Sequence, residues 1–410
     1  MLPTRIVKLL VPFALVLSFF VAACGSSSTS ATNFSGTVVI WHNWQGDYLK
    51  AKQDIFHAYE TAHPNVKIQL VHQDTVVDKS ITAINAGSGP DMIAWVDDSL
   101  GKLAKSRIVV PLDQYISKSY VDSTYNKAAA EGVTFDGHVY GVPESVEAIT
   151  LMYNKKLVSA SDLPKTTDDM LTFEQNYAKA HPKNYGIVWN TEDAYFNAPW
   201  FYGFGGYYVK ADGTVGVNTP ESVNAAKFIA SFKPYLPKQP TYDAASSLFS
   251  EGKAAAIING PWSYTDYANK AKIDVGFATL PTTPSGTAAK PFVGVKSLWV
   301  TKLSKNVALD ADILKFYTNK NNQVAMAVAN GEIPANTEAD NDAQVKALPS
   351  VGGFAAQAQL GTALPNTPYM SGLWKPVADA LTAIWTGAQT PEVAMAAAET
   401  AAKANIAQLQ

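Results

Sequence analysis

Thr37-Val38-Val39-Ile40-Trp41 is a short, mostly β-branched run that ends in an aromatic residue. Such a run reads as a buried strand. The stretch after it carries Leu49, Phe56 and Tyr59 on one helical face and stops at His63-Pro64, where proline has no N–H to continue the helix. Val66, Ile68 and Leu70 then alternate as a second strand. A short helix ends at Gly87, and Asp91 to Val96 makes a third strand, with Asp97 or Asp98 expected to cap the next helix. This β-α-β-α-β opening implies an α/β fold whose ligand-binding loops gather at strand ends.

Working outward, the same alternation continues. Thr166-Thr167-Asp168-Asp169 has the spacing of a capping box, and Thr219-Pro220-Glu221 and Thr390-Pro391-Glu392 put proline at the first helical position. Gly252 should close the helix of Leu248-Phe249, and Ala254 to Ile258 reads as a buried strand. The last twenty residues, alanine-rich and periodic, read as a docked helix. The 410 residues suggest two domains, each with its own core. Lys+Arg 32 against Asp+Glu 35 leaves −3, so there is no basic field for nucleic acid. Nine Trp, 19 Tyr and 17 Phe are the surplus, which points to a neutral or weakly charged ligand.

Residues 1–23 stand apart. Arg5 and Lys8 precede an uncharged run from Leu9 to Ala23, too short for a bilayer span of about 20 residues but suited to a secretory signal. The run ends Val21-Ala22-Ala23-Cys24. That ending resembles the bacterial lipoprotein signal, with Val21 where leucine is usual, and implies lipidation of Cys24. Residues 24–36, rich in serine, read as a flexible tether. The expected product is a body held by lipid on the outer face of the cell membrane.

Motifs for several chemistries are missing. The six histidines, at 42, 57, 63, 72, 138 and 181, form no His-x-x-x-His pair, and Cys24 is the sole cysteine, which argues against zinc and against disulfides. No phosphate-binding Gly-x-x-x-x-Gly-Lys loop, dinucleotide fingerprint or Gly-x-Ser-x-Gly elbow occurs. No cofactor is expected. Glycosidases carry no short signature, so that class stays open.

Five stretches carry a resemblance. Gly87-Ser88-Gly89-Pro90-Asp91-Met92-Ile93-Ala94-Trp95-Val96-Asp97-Asp98 is similar to a segment of solute-binding proteins of carbohydrate ABC importers. Residues 147–155, Ile258-Asn259-Gly260-Pro261-Trp262, residues 290–295 and Met370-Ser371-Gly372-Leu373-Trp374 resemble maltose/maltodextrin-binding proteins in the same order. The resemblance covers nearly all of residues 37–410. It implies a two-lobed, periplasmic-binding-protein-like α/β fold (type II) with a ligand cleft between the lobes. The N-terminal lobe would take 37–145 plus 298–345, the C-terminal lobe 150–292 plus 350–410, with a hinge near 146–149 and 293–297. It also implies a sugar ligand, and the chemistry agrees: aromatic rings cover the apolar faces of a pyranose, and carboxylates accept from its hydroxyls.

Carried over by position, Trp95, Tyr195, Trp262 and Trp374 would stack on sugar rings, and Asp98, Glu147 and Asp193 would accept hydroxyl protons. Trp44 and Gln45 fall where the maltose-binding members carry a charged pair, Asp193 where glutamate is usual and Ser99 where those members have arginine. Trp41, Trp189 and Trp299 read as core, whereas Trp95 and Asp98 suit either a structural or a binding role. The function implied is capture of a maltodextrin-type oligosaccharide for a membrane permease, by a monomer without catalysis. The rivals are the same fold with another di- or oligosaccharide, and an exported glycosidase using Glu147 with Asp98 or Asp193.

Overall fold

The computed structural model describes residues 34–409; Cys24, the apolar run before it and most of the serine-rich segment lie outside them. The first strand, Gly36–His42, pairs in parallel with Val66–His72 on one side and with Met92–Val96 on the other. Val38, Ile40 and His42 alternate inward, as a strand half in the core requires. Helix Gly46–Ala62 buries Tyr48, Lys52, Ile55, Phe56 and Tyr59 along one stripe. Lys52 is the anomaly in that stripe, since its ammonium is fully buried.

The rest of this sheet comes from far along the chain. Strand Phe292–Val300 runs antiparallel between Met92–Val96 and Gly141–Glu147, and Ile333–Pro334 forms the edge. A second sheet has the order Val275–Ala278, Thr150–Asn154, Ala254–Asn259, Tyr185–Val188. The chain leaves the first sheet at Glu147 and enters the second at Thr150, with only Ala148 and Ile149 between. It returns in strand Phe292–Val300, whose first two residues pair with Thr362–Ala363 and whose remainder pairs with Gly141–Glu147. Two sheets joined by such short passages make the two-lobed α/β fold.

The register of Gly141–Glu147 has a flaw that matters for the cleft. Lys296 pairs with Ser145 and Ser297 with Pro143, so Glu144 is an extra residue in a β-bulge. A bulge shifts the alternation of faces. Glu144 and Glu147, three apart, therefore come to the same side, where an unbroken strand would separate them.

Helix ends obey the local signals. Thr166 and Asp169 form the reciprocal capping box, Thr219 and Thr390 cap helices that begin with proline, and Gly252 takes φ +68 just past Tyr242–Ser250. The C-terminal helix Pro391–Ala407 packs on Trp374–Thr386 and Pro220–Ser231. Trp189 and Trp299 are core, while Trp41 is half-buried against the smaller cluster of Val76, Ile93, Leu103 and Trp299. One local expectation fails. Asp97 and Asp98 begin a 3-10 turn but cap no helix with their side chains. Asp97 accepts instead from the Val295 amide at 2.9 Å, and Asp98 from Trp374 at 2.8 Å. Distant partners outcompete the nearby amides.

Candidate binding site

A cleft of about 1270 Å³ lies where the ends of the two sheets meet. Trp44, Gln45, Trp95, Asp98, Glu147, Asp193, Tyr195, Trp262 and Trp374 all line it. They do so in different ways.

One wall is aromatic. Tyr195 lies in the first turn of helix Ala194–Gly203, and Trp262 comes just after the strand end Asn259-Gly260-Pro261. Their rings are 6.2 Å apart, tilted by 54°. Behind them Phe292 is fully buried and meets Tyr195 at 6.2 Å and the edge of Trp374 at 6.0 Å. Tyr195, Trp262 and Trp374 are only half-buried, so each keeps ring surface open to the cleft. Trp95, half-buried at the end of its strand, adds a ring on the other side. Trp44 differs. It is 4% exposed, stacked on His42 at 4.7 Å and packed near Phe56 and Tyr317, so it offers an edge more than a face. The Trp44 amide donates to His42 Nδ1 at 3.0 Å, which requires an unprotonated ring; burial, and then the neighbouring His72, hold that imidazole down at about 4. Gln45 is exposed and contacts His72 at 3.3 Å.

The floor is ionic. Glu147 Oε1 accepts from the Tyr48 hydroxyl at 3.1 Å and lies 3.4 Å from Lys296 Nζ. Burial raises the Glu147 carboxyl above the usual range, with Lys296 pulling the other way. Lys296 also sits 4.7 Å from the Tyr48 ring and 5.7 Å from that of Trp262. Below, Lys52 Nζ is 2.7 Å from Glu144 and 3.5 Å from Glu332, and Tyr317 donates to the other Glu144 oxygen at 2.6 Å. The same ammonium stands 4.1 Å from the Tyr48 ring and 5.4 Å from Trp44. Lys52 thus bridges two buried carboxylates and props two residues of the cleft.

Two of the expected acceptors have structural work. Asp193 caps its helix, Oδ1 taking the amides of Tyr195 at 2.8 Å and Phe196 at 3.1 Å. Burial raises its carboxyl even against those two donors. Asp98 takes the Trp374 indole N–H on Oδ2 and the Ser99 hydroxyl on Oδ1. Burial pushes it up to about 6, with Trp374 and Ser99 opposing. Sequence reading missed Tyr48, Tyr242 and Lys296, all of which line the cleft, and the Lys52–Glu144–Glu332 group. One signal was there: Glu144 and Glu147 in the otherwise uncharged, mostly apolar run Gly141 to Ile149, where unpaired charge is costly. Among the described residues no three His, Cys, Asp or Glu side chains gather as metal ligands, and no helix is long and apolar enough to cross a membrane.

The arrangement can hold an elongated, hydroxylated, uncharged molecule: rings for its apolar faces, carboxylates and one ammonium for its hydroxyls. Known proteins agree with this geometry. The chain is 32% identical to a maltotriose-binding protein of Pyrococcus abyssi over 354 residues, 85% of this chain and 77% of that one. It is 29% identical to a galactooligosaccharide-binding protein of Bacillus subtilis, covering 95% of each. Among solved structures, the maltose/maltodextrin-binding domain MalE from Bdellovibrio bacteriovorus, bound to maltotriose, superposes with a TM-score of 0.84 at 27% identity, covering 91% of this chain and all of that one. The family pattern of bacterial extracellular solute-binding proteins matches residues 54–353. With that pattern spanning most of its length, the chain belongs to the bacterial extracellular solute-binding protein family.

Proposed function

We propose that this protein captures maltodextrin-type oligosaccharides outside the cytoplasm and delivers them intact to an ABC permease. The observation that carries this reading is the set of half-exposed rings of Tyr195, Trp262 and Trp374 facing Glu147 and Lys296 across one cleft. Trp95, Tyr195, Trp262 and Trp374 stack on sugar rings, and Glu147 and Asp193 accept from hydroxyls at the cleft wall, with Asp98 beside Trp374 and with Trp44 and Gln45 closing one end. The lobes are 37–145 plus 298–345 and 150–292 plus 350–410, and they close about 146–149 and 293–297. The short Ala148-Ile149 passage and the shared strand Phe292–Val300 support that hinge. Ligand contacts from both lobes would favour the closed state, a population shift.

The protein works as a monomer, held to the membrane by lipid on Cys24, and turns over no substrate. Glu147 supports the last point. Its carboxylate is committed to Tyr48 and Lys296, an arrangement suited to accepting hydrogen bonds and not to passing a proton to a leaving group. The Bacillus relative favours a second reading, in which the cleft takes a galactooligosaccharide. Calorimetric titration with maltose, maltotriose, maltotetraose and galactooligosaccharides separates the two. Preference for the α-glucosides supports the proposal; preference for the galactosides overturns it. Shorter products after prolonged incubation would favour a glycosidase. Loss of fatty-acid labelling in Cys24→Ser tests the anchor, and labelling that persists excludes it.

A further inference from the structure

The segment from Asn366 to Trp374 is stitched to both halves of the molecule. On one side the Gly101 amide donates to Asn366 O at 3.1 Å, and Asn366 Nδ2 reaches the carbonyls of Glu131 and Thr134 at 3.3 and 3.2 Å. A side chain at position 101 would run into Asn366, which is why glycine stands there. On the other side Asn405 Nδ2 donates to Gly372 O at 3.1 Å. Trp374 ends this strap. Its ring meets Phe292 edge to face, with the centroids 6.0 Å apart. Its indole N–H donates to Asp98 Oδ2 at 2.8 Å. Asp98 is itself fixed, because the adjacent Asp97 is tied to the Val295 amide in the strand shared by both lobes.

We propose that Asp98 is a positioning residue: its carboxylate sets the plane of the Trp374 ring across the cleft and acts on the ligand through that ring. The proposal rests on the saccharide reading of the cleft and changes the work assigned to Asp98 within it. A stacking ring contributes most when its orientation is set before the ligand arrives, since ordering it then falls outside the binding step. Both Asp98 oxygens already have a donor, from Trp374 and from Ser99.

The test uses Asp98→Ala, Asp98→Asn, Trp374→Phe and the Asp98→Ala/Trp374→Phe double variant of the whole protein. In the free protein the Trp374 indole N–H resonance, identified by its loss in Trp374→Phe, should shift and broaden in Asp98→Ala. Asp98→Asn, whose amide oxygen still accepts, should restore it. With maltotriose as probe, Asp98→Ala should weaken binding about tenfold, the scale of one hydrogen bond to a charged group. In the Trp374→Phe background the same change should weaken it less than about twofold, because the residues act as one unit. Equal losses in both backgrounds, or an indole signal that Asp98→Ala leaves unmoved, would overturn the proposal. A wild type that takes up no maltooligosaccharide would sink the functional reading instead, while the indole resonance would still decide the role of Asp98.

Discussion

Trp262 lines the cleft and Lys52 lies buried beneath its floor, and the two are held in opposite ways. Trp262 is kept by packing: Tyr195 at 6.2 Å, Phe196 edge-on at 6.3 Å and Gly260 beneath the ring, which stays half-exposed. Lys52 is kept by charge: fully buried, 2.7 Å from one carboxylate and 3.5 Å from another. Removing a half-open ring should take away the proposed ligand contact and little of the core. Removing one member of a buried ionic group leaves the others unpaired, so stability falls first and binding after it. The difference separates residues proposed to meet the ligand from those that hold the site in shape.

The largest effect should come from breaking the floor. Lys52→Met leaves Glu144 and Glu332 buried without their cation and should destabilise the fold by about 3–5 kcal/mol in urea unfolding. Stability near wild type would mean that the carboxylates find other partners and the comparison fails.

Glu174 sharpens the contrast, because this buried carboxylate is held by backbone amides instead of a cation. It accepts from the Gly186 and Ile187 amides at 3.1 and 2.7 Å, and burial pushes it up to about 7 despite them. A carboxyl raised in the folded state binds its proton more tightly there. Its contribution to stability is therefore full below about pH 4 and lost as pH rises toward 7. The stability advantage of wild type over Glu174→Gln should shrink by roughly 3 kcal/mol between those limits. Urea unfolding at pH 4 and pH 7.5 checks this, and a constant difference would contradict it.

Glu147 stands between wall and floor. Glu147→Gln keeps an acceptor but leaves Lys296 without its counter-charge, so maltooligosaccharide binding should weaken by roughly 1–3 kcal/mol. Calorimetry reads this directly; unchanged affinity would remove Glu147 from the ligand's contacts.

Much of this was legible locally. The opening strands, the caps at Thr166, Thr219 and Thr390, and the turn at Gly252 are set by residues a few positions apart. That Trp262 and Trp374 line the cleft was legible through their motifs. The ionic floor was not, because Lys52 meets partners 92 and 280 positions away. Nor does any local pattern announce the bulge that brings Glu144 and Glu147 to one side. Asp97 and Asp98 carry a cap's signature, yet Val295 and Trp374 claim them, which only the folded chain could reveal. Asp193 went the other way: a position assigned to a ligand also has a helix to cap.

The central claim is that the aromatic wall binds an oligosaccharide while contributing little to the fold. Maltotriose titrated by calorimetry into wild type and Trp262→Ala, with thermal unfolding of both ligand-free proteins, tests it most directly. The wild type should show saturable binding and return the sugar uncut. Trp262→Ala should bind roughly ten- to a hundred-fold more weakly, in line with about 1–3 kcal/mol for a stacked ring, at nearly the same unfolding temperature. A variant that unfolds early yet keeps its affinity would place Trp262 in the core and contradict the account.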